Sequence, residues 1–144
     1  ILVGYRWHDT KKVPALFPFG HGLSYTTFTY GKPVASAKAM AADCTLTVTV
    51  AVKNTGSIAG KEIVQLYVGD DKCSVLRPVK ELKHFAKVGL APGEEKSVTF
   101  TLTPDDLKFY DEASAAWKYE PGKFKAYVCA SSADVRGVVS FEMQ

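Results

Sequence analysis

Residues 45–53 read TLTVTVAVK. In this stretch the apolar residues fall at every second position, with threonine or alanine between them; they are Leu46, Val48, Val50 and Val52. Because successive side chains of a strand point to opposite faces, this period of two predicts a β-strand with one buried face. The strand ends at the turn sequence NTGS, residues 54–57. The chain is therefore expected to contain a sheet that packs through one face.

The sequence on both sides of this strand repeats the pattern. Further strands are predicted at 61–69 (KEIVQLYVG, central in its sheet), 80–90, 96–103 (KSVTFTLT), 117–120, 124–130 and 137–143, with an edge strand near Thr26, Phe28 and Tyr30. Proline–glycine turns and a helical turn at Pro104 separate them. About seven short strands at this spacing predict an all-β fold, an antiparallel sandwich of the immunoglobulin or fibronectin type III class. The predicted core comprises Leu46, Val48, Val50, Val64, Leu66, Phe100, Leu102 and Phe124.

An aromatic loop, defined here as residues 13–28 (VPALFPFGHGLSYTTF), precedes the strands. Its two prolines and two glycines exclude a regular helix or central strand. The β-patterned remainder offers too little apolar surface to enclose its rings, so a partner surface is expected. The segment 1–5 is predicted to be a short strand that leads into a connector. The predicted interface residues are Arg6, Trp7, Phe17, Phe19, His21, Leu23 and Tyr25.

Composition limits the classes of function. At 144 residues and 47% hydrophobic content, the chain suits one domain with an appendage. Its net charge of +3 arises from 18 basic and 15 acidic residues that form no long run, which argues against nucleic acid or an anionic membrane as partner. No stretch approaches the ~18 apolar residues of a membrane span, and no signal segment is found. Because the chain starts at Ile1 within a strand-like apolar run, we expect a fragment of a longer protein, with any targeting signal upstream.

Five blocks of the sequence resemble the C-terminal part of glycoside hydrolase family 3 enzymes of the β-glucosidase and β-xylosidase kind. They are GYRWHD, LFPFGHGLSYTTF, TVTVAVKNTGSIAGKEIVQLYVGD, RPVKELKHFAKVGLAPGEEKSVTFTLTPDDLKFYD and EPGKFKAYVCASSADVR. The resemblance covers essentially the whole chain. It implies that residues 1–25 are the tail and linker of a preceding α/β sandwich domain and that residues 26–144 form a fibronectin type III-like domain.

The resemblance also places the chemistry outside this chain. In the family, the nucleophilic aspartate lies on an N-terminal barrel in a Ser-Asp-Trp context, and the acid/base glutamate lies on the second domain. This sequence contains no Ser-Asp-Trp. A retaining glycosidase needs two carboxylates about 5 Å apart. The candidate pairs here, Asp70 with Asp71 and Asp105 with Asp106, are adjacent in turns and are expected to diverge into water.

No other chemical site is predicted. The histidines, His8, His21 and His84, lack metal-ligand spacing, and no nucleophile elbow or phosphate loop occurs. We therefore predict no catalytic, metal or cofactor-binding residue and no cofactor. For His21, fixing the loop by hydrogen bonds is favoured over contact with substrate. The alternation of the strand predicts that Cys44 points inward like Leu46, whereas the alternation at 124–130 does not place Cys129 on the inward face. Cys73 lies in a loop. A disulfide is therefore not favoured, and three free thiols are expected.

Two classes of function remain open. The preferred hypothesis is a non-catalytic accessory domain that packs on the catalytic domains of the same parent chain and stabilises them. The parent is expected to be a retaining β-glycosidase. The oligosaccharide substrate is expected to bind only to the parent. The alternative is a carbohydrate- or polymer-binding targeting module, which needs exposed aromatic rings. Only Trp7 and Trp117 are available, and Trp117 could be core or exposed. The resemblance suggests a periplasmic or secreted bacterial parent.

Overall fold

The computed structural model describes residues 1–144 and contains two short helices and eleven strands. None of its helices has the length and apolar character to cross a bilayer. The elements are α1 (Tyr5–Lys11), β1 (Phe28–Tyr30), β2 (Val34–Ala35), β3 (Ala39–Met40), β4 (Leu46–Asn54), β5 (Gly60–Asp70), β6 (Glu81–Leu90), β7 (Glu95–Leu102), α2 (Pro104–Leu107), β8 (Phe109–Asp111), β9 (Ala116–Lys118), β10 (Gly122–Cys129) and β11 (Val135–Met143).

The strands form two packed sheets and one small hairpin. In the first sheet, β4 pairs with β1, β2 and β7, all antiparallel. The second has the order β3-β11-β10-β5-β6 and is antiparallel except for the β3–β11 pair. The third pairing joins β8 to β9. The predicted all-β sandwich is confirmed, with β5 inside its sheet between β10 and β6.

The core lies between the two sheets and is built from alternate residues of their strands. All eight predicted core residues are buried, with at most 5% of their surface exposed. Phe124 stacks on Phe141 with ring centroids 5.8 Å apart. The period of two in β4 and β7 therefore determines which face of the four-stranded sheet is buried.

The segment 1–11 differs from the prediction. Instead of a strand ending at Tyr5, helix α1 begins there, after Gly4 with φ of 58°. Tyr5 and Asp9 stand one turn apart on the same face of this helix, and that face contacts the five-stranded sheet. The segment is too short for its sequence to show a helical or a strand period, and its contacts with the sheet determine its conformation.

The parity argument for Cys44 is also wrong, because this residue precedes the first residue of β4. Its amide donates to the carbonyl of Ala41 in a turn, and its side chain is exposed. Cys129 is buried and Cys73 is partly buried, and all three thiols are free. Burial raises the pKa of Cys129 to about 12, so this thiol stays protonated near neutral pH.

Candidate domain interface

Helix α1 is attached to β6 and to the segment that precedes β6. The backbone amide of Leu82 donates to the hydroxyl of Tyr5 over 2.8 Å. Asp9 forms an ion pair with Lys80, and both side chains are mostly buried. The Lys80 ammonium also lies 5.4 Å from the ring centre of Tyr67. These polar contacts fix the helix on the outer face of the five-stranded sheet.

A charge cluster extends this attachment. Arg6 of α1 lies 3.4 Å from Glu81, which also pairs with Arg77 at 3.2 Å and Lys83 at 3.6 Å. Burial alone would raise the pKa of Glu81, but the three neighbouring cations outweigh it and hold this pKa below its ordinary value. Burial lowers the pKa of Lys83 despite the nearby Glu81. The predicted interface residue Arg6 therefore already has a partner within the chain.

The aromatic loop is attached to the same face at Phe19. The Phe19 ring stacks on Tyr5 with centroids 5.1 Å apart, and Tyr5 in turn meets the edge of Tyr67. The amide of Ser132 donates to the carbonyl of Phe19 over 2.8 Å. Helix and loop therefore hold each other against the sheet.

The next residue, Gly20, is held by a buried amide side chain. Nε2 of Gln65 donates to the carbonyl oxygens of Gly20 (3.3 Å) and Ala130 (3.0 Å), while its Oε1 accepts from the hydroxyl of Tyr67 (2.6 Å). Gly20 has φ of 77°, a conformation that residues with a side chain rarely adopt. A Cβ here would also meet the side-chain amide of Gln65, which would have to move away from its hydrogen bonds.

Several large apolar side chains of the aromatic loop and of α1 are exposed, although Phe28 at the end of the loop packs against the core. The exposed fractions are 81% for Phe17, 96% for Leu23 and 98% for Tyr25, with Phe19 at 51% and Trp7 at 40%. His21 is exposed, and only its backbone amide bonds within the loop, to the carbonyl of Pro18. The expected hydrogen-bonding role of the His21 side chain is therefore not observed.

Two cavities flank the attachment point. One, of about 340 Å³, lies between α1 and the aromatic loop and is lined by Tyr5, His8, Phe17 and Phe19 among others. The other, of about 400 Å³, lies between the loop and the ends of β5 and β11 and is more polar. Beside it, Tyr30 donates to Glu62 over 2.7 Å. Burial raises the pKa values of both Glu62 and Tyr30.

The paired carboxylates have structural partners. Asp70 and Asp106 do not diverge into water as expected, since their side chains are only 4% and 17% exposed. Asp70 lies 3.5 Å from Arg77, and Asp106 caps α2 by accepting from the amide and hydroxyl of Thr103. The other carboxylate of each pair also has a partner, since Asp71 lies beside Lys125 and Asp105 beside Lys108.

One group of metal-ligand atoms was not predicted from the sequence. Atoms of Asp70, Cys73 and Glu120 lie within 4.8 Å of one another, although Glu120 is distant along the chain. Glu120 accepts from the amide of Ser74 and Asp70 faces Arg77, so both carboxylates have protein partners. The group contains no histidine, and we assign no metal to it.

The open question about Trp117 is answered by the small hairpin. Trp117 is 66% exposed and Tyr110, directly opposite it, is 51% exposed. Their ring centroids are 5.7 Å apart at an angle of 71°. Trp117 is therefore a surface residue.

Comparison with known proteins shows what the chain is similar to. A model of the fibronectin type III-like domain matches residues 62–132. The chain is 65% identical over 142 residues to β-glucosidase BoGH3A of Bacteroides ovatus, a match that covers 99% of this chain and 19% of that protein. The chain contains a fibronectin type III-like domain of the kind found in glycoside hydrolase family 3 β-glucosidases. The predicted resemblance is thus confirmed.

Solved structures of longer enzymes contain the same arrangement. The β-glucosidase of Kluyveromyces marxianus superposes with a TM-score of 0.92 at 40% identity, over 100% of this chain and 18% of that one. The family 3 β-glucosidase of Bifidobacterium adolescentis gives 0.92 at 37% identity, over 99% and 21%. The fibronectin type III-like chain spans about a fifth of the length of the relatives it matches.

Proposed function

We propose that this fibronectin type III-like chain is a non-catalytic accessory unit of a retaining β-glycosidase, and that residues 1–25, here called the N-terminal arm, join it to the catalytic domains. One observation carries the proposal. The arm is attached to the sandwich at Tyr5, Asp9 and Gly20, yet it leaves Phe17, Leu23 and Tyr25 in solvent. Rings presented in a fixed position suit an interface with another domain.

Burial of these side chains would supply the binding energy. An aromatic side chain buries about 150–250 Å², and each square ångström of apolar surface removed from water contributes roughly 25 cal/mol. The two rings of Phe17 and Tyr25, together with Leu23, offer several kcal/mol before the cost of ordering. This suffices to stabilise an interface within one polypeptide, where the partner is already tethered.

Hydrogen exchange tests the interface. We expect residues 16–26 to exchange faster in the 144-residue chain than in the full-length parent, while β4 and β5 are equally protected in both. Equal and strong protection of residues 16–26 in both proteins would mean that the sandwich itself buries the loop, and would overturn the proposal.

The function of the parent provides a second test. In the full-length protein, Phe19→Ala should loosen the junction and lower glycosidase activity without changing its pH profile, because the ionising groups of the reaction lie in other domains. The isolated 144-residue chain should not turn over aryl β-glucosides or β-xylosides. A rigorously purified chain with turnover above buffer would contradict the non-catalytic assignment.

A second candidate function is carbohydrate binding by the exposed pair Tyr110 and Trp117. An indole ring open to solvent can stack on a sugar ring. Titration of the chain with cello- or xylo-oligosaccharides would change the fluorescence of Trp117 if this function holds, and Trp117→Ala would abolish the change while Trp7→Ala would not. An unchanged spectrum would exclude the binding module.

A further inference from the structure

The outer faces of the two sheets differ in chemistry. The four-stranded sheet presents hydroxyl groups outward, and Thr49 of β4 bonds to Thr99 of β7 across the strands at 2.9 Å. The five-stranded sheet instead presents Phe85 of β6, 69% exposed, and Ile63 of β5, 42% exposed. A face lined by threonines is well solvated, whereas exposed aromatic and branched side chains favour contact with another surface.

The two apolar residues adjoin the N-terminal arm. Phe85 lies directly opposite Gln65 in the register of β5 and β6, so the two side chains share the outer face. Gln65 is the residue that holds Gly20 of the aromatic loop. Ile63 lies two residues before Gln65 on the same face and lines one cavity together with Leu23. The exposed side chains of the arm and of the sheet therefore lie side by side.

We infer that Ile63 and Phe85 form a second part of the interface and are covered by the catalytic part of the same polypeptide. This inference rests on the proposed function. Helix α1 lies on this same outer face, so polypeptide that precedes Ile1 in a longer protein reaches the domain from this side. The relative BoGH3A, of which the matched region is 19%, has ample chain to cover it.

The charges around the two residues define the partner further. Lys87 of β6 lies opposite Ile63, and Lys61 precedes Ile63 by two residues on the same face. Both lysines are exposed and form no ion pair within the chain. The covering surface should therefore place an apolar centre against Phe85 and carboxylates at its edge, an arrangement that satisfies both chemistries.

Thiol labelling tests this inference in the full-length parent and in the 144-residue chain. Phe85→Cys, Tyr25→Cys and Val34→Cys are made separately in a Cys44→Ser, Cys73→Ser background, and the rate of maleimide addition at each site is read by peptide mass spectrometry. Val34, 62% exposed on the four-stranded sheet, is the matched control. Burial in an interface should slow Phe85→Cys and Tyr25→Cys about tenfold or more in the parent, because labelling then requires local opening. Val34→Cys should react equally in both proteins.

The outcomes separate the two proposals. If Tyr25→Cys is protected and Phe85→Cys is not, the arm forms the interface and the inference about the sheet is wrong. If neither is protected, the proposed function fails as well. Equal protection of Val34→Cys would show nonspecific shielding and would also overturn the inference. Ile63→Cys provides an independent reading of the same surface should Phe85→Cys fail to fold, as judged by circular dichroism.

Discussion

The sandwich and the N-terminal arm contain similar apolar residues but are stabilised differently. None of the first 25 residues is buried, whereas 18 buried residues of the strands and of α2 form one continuous hydrophobic cluster. The arm is held by a few hydrogen bonds, ion pairs and one aromatic stack. Burial of apolar surface dominates folding, while single polar contacts add little net free energy. The sandwich should therefore unfold as a unit, and the arm should detach at lower cost.

The largest effect should come from removing a ring of the sandwich core. Phe100→Ala leaves a cavity between the sheets and should lower the free energy of unfolding by about 3 to 4 kcal/mol. Urea denaturation followed by circular dichroism measures it. Thr101→Ala, the exposed neighbour in β7, is the control and should change the midpoint little. An unchanged midpoint for Phe100→Ala would mean that the sandwich does not depend on this core.

A smaller and local effect is expected at the attachment point of the arm. Gly20→Ala places a Cβ against the amide of Gln65 at φ of 77° and should weaken attachment of the arm by about 1 to 3 kcal/mol. Hydrogen exchange of residues 16–26 should accelerate, while exchange of β4 should stay unchanged. Gly22→Ala is the matched control, because no atom lies within 4 Å of its added Cβ and its φ is not positive.

The outcome at Gly20 would show whether the arm and the sandwich unfold separately. If Gly20→Ala also accelerated exchange in β4, the arm and the sandwich would unfold together. If it changed neither region, the bonds from Gln65 would not hold the loop. Only a change confined to the arm agrees with two regions of different stability.

The same contrast explains what could be predicted from the sequence. Alternation in β4 and β7 identifies the buried side chains, since a period of two needs only neighbouring residues to be recognised. The attachment of the arm depends on pairs such as Gln65 and Gly20, which lie 45 positions apart, and α1 has only seven residues. The exposure of the aromatic rings in the arm could be predicted, because the strands offer too little apolar surface to bury them. The exposure of Phe85 could not be predicted, because the register between its strand and β5 shifts near Leu82.

Lowering the pH should weaken the attachment of the arm to the sandwich, because Glu81 loses its charge. The folded pKa of Glu81 lies below 4.5, so its stabilisation is present above pH 4.5 and is lost as the pH falls through the folded value. Glu81→Gln should weaken attachment of the arm at pH 7 by only about 0.5 to 1 kcal/mol, because Arg6 and Glu81 are partly exposed and screened. Exchange of residues 5–11 in a pH series that starts at pH 7 and descends into the acid range measures this.

The control for Glu81 lies in the same pH series. As the pH falls through the folded pKa of Glu81, the wild-type chain should approach the behaviour of Glu81→Gln, since both then lack the negative charge. A difference in arm exchange that persisted undiminished in acid would show that the contacts of Glu81 act through shape rather than charge, and the proposed electrostatic attachment of α1 would be wrong.

The smallest effect is expected in the sandwich, at Glu62, and it should have the opposite pH dependence. Burial raises the pKa of Glu62 above 4.5 and outweighs the hydrogen bond from Tyr30. An acid with a raised folded pKa favours folding below its unfolded pKa and loses that contribution as the pH rises through the folded value. Glu62→Gln retains an acceptor for Tyr30 without the buried charge. At pH 7 it should therefore be as stable as the wild type or more stable by about 0.5 kcal/mol, given partial exposure.

Thermal unfolding at pH 7 and pH 4 tests this prediction, with Tyr30→Phe as the control. Tyr30→Phe removes the donor and should cost about 1 kcal/mol at pH 7 and less at pH 4, because the hydrogen bond favours the ionised form of Glu62. Glu62→Gln should gain stability relative to the wild type only at pH 7. A loss of more than about 1 kcal/mol at pH 7 would instead show that Arg136, whose positive charge lowers this pKa, stabilises ionised Glu62. Acid would then weaken the sandwich as well as the arm, and the two regions would no longer differ in their response to pH.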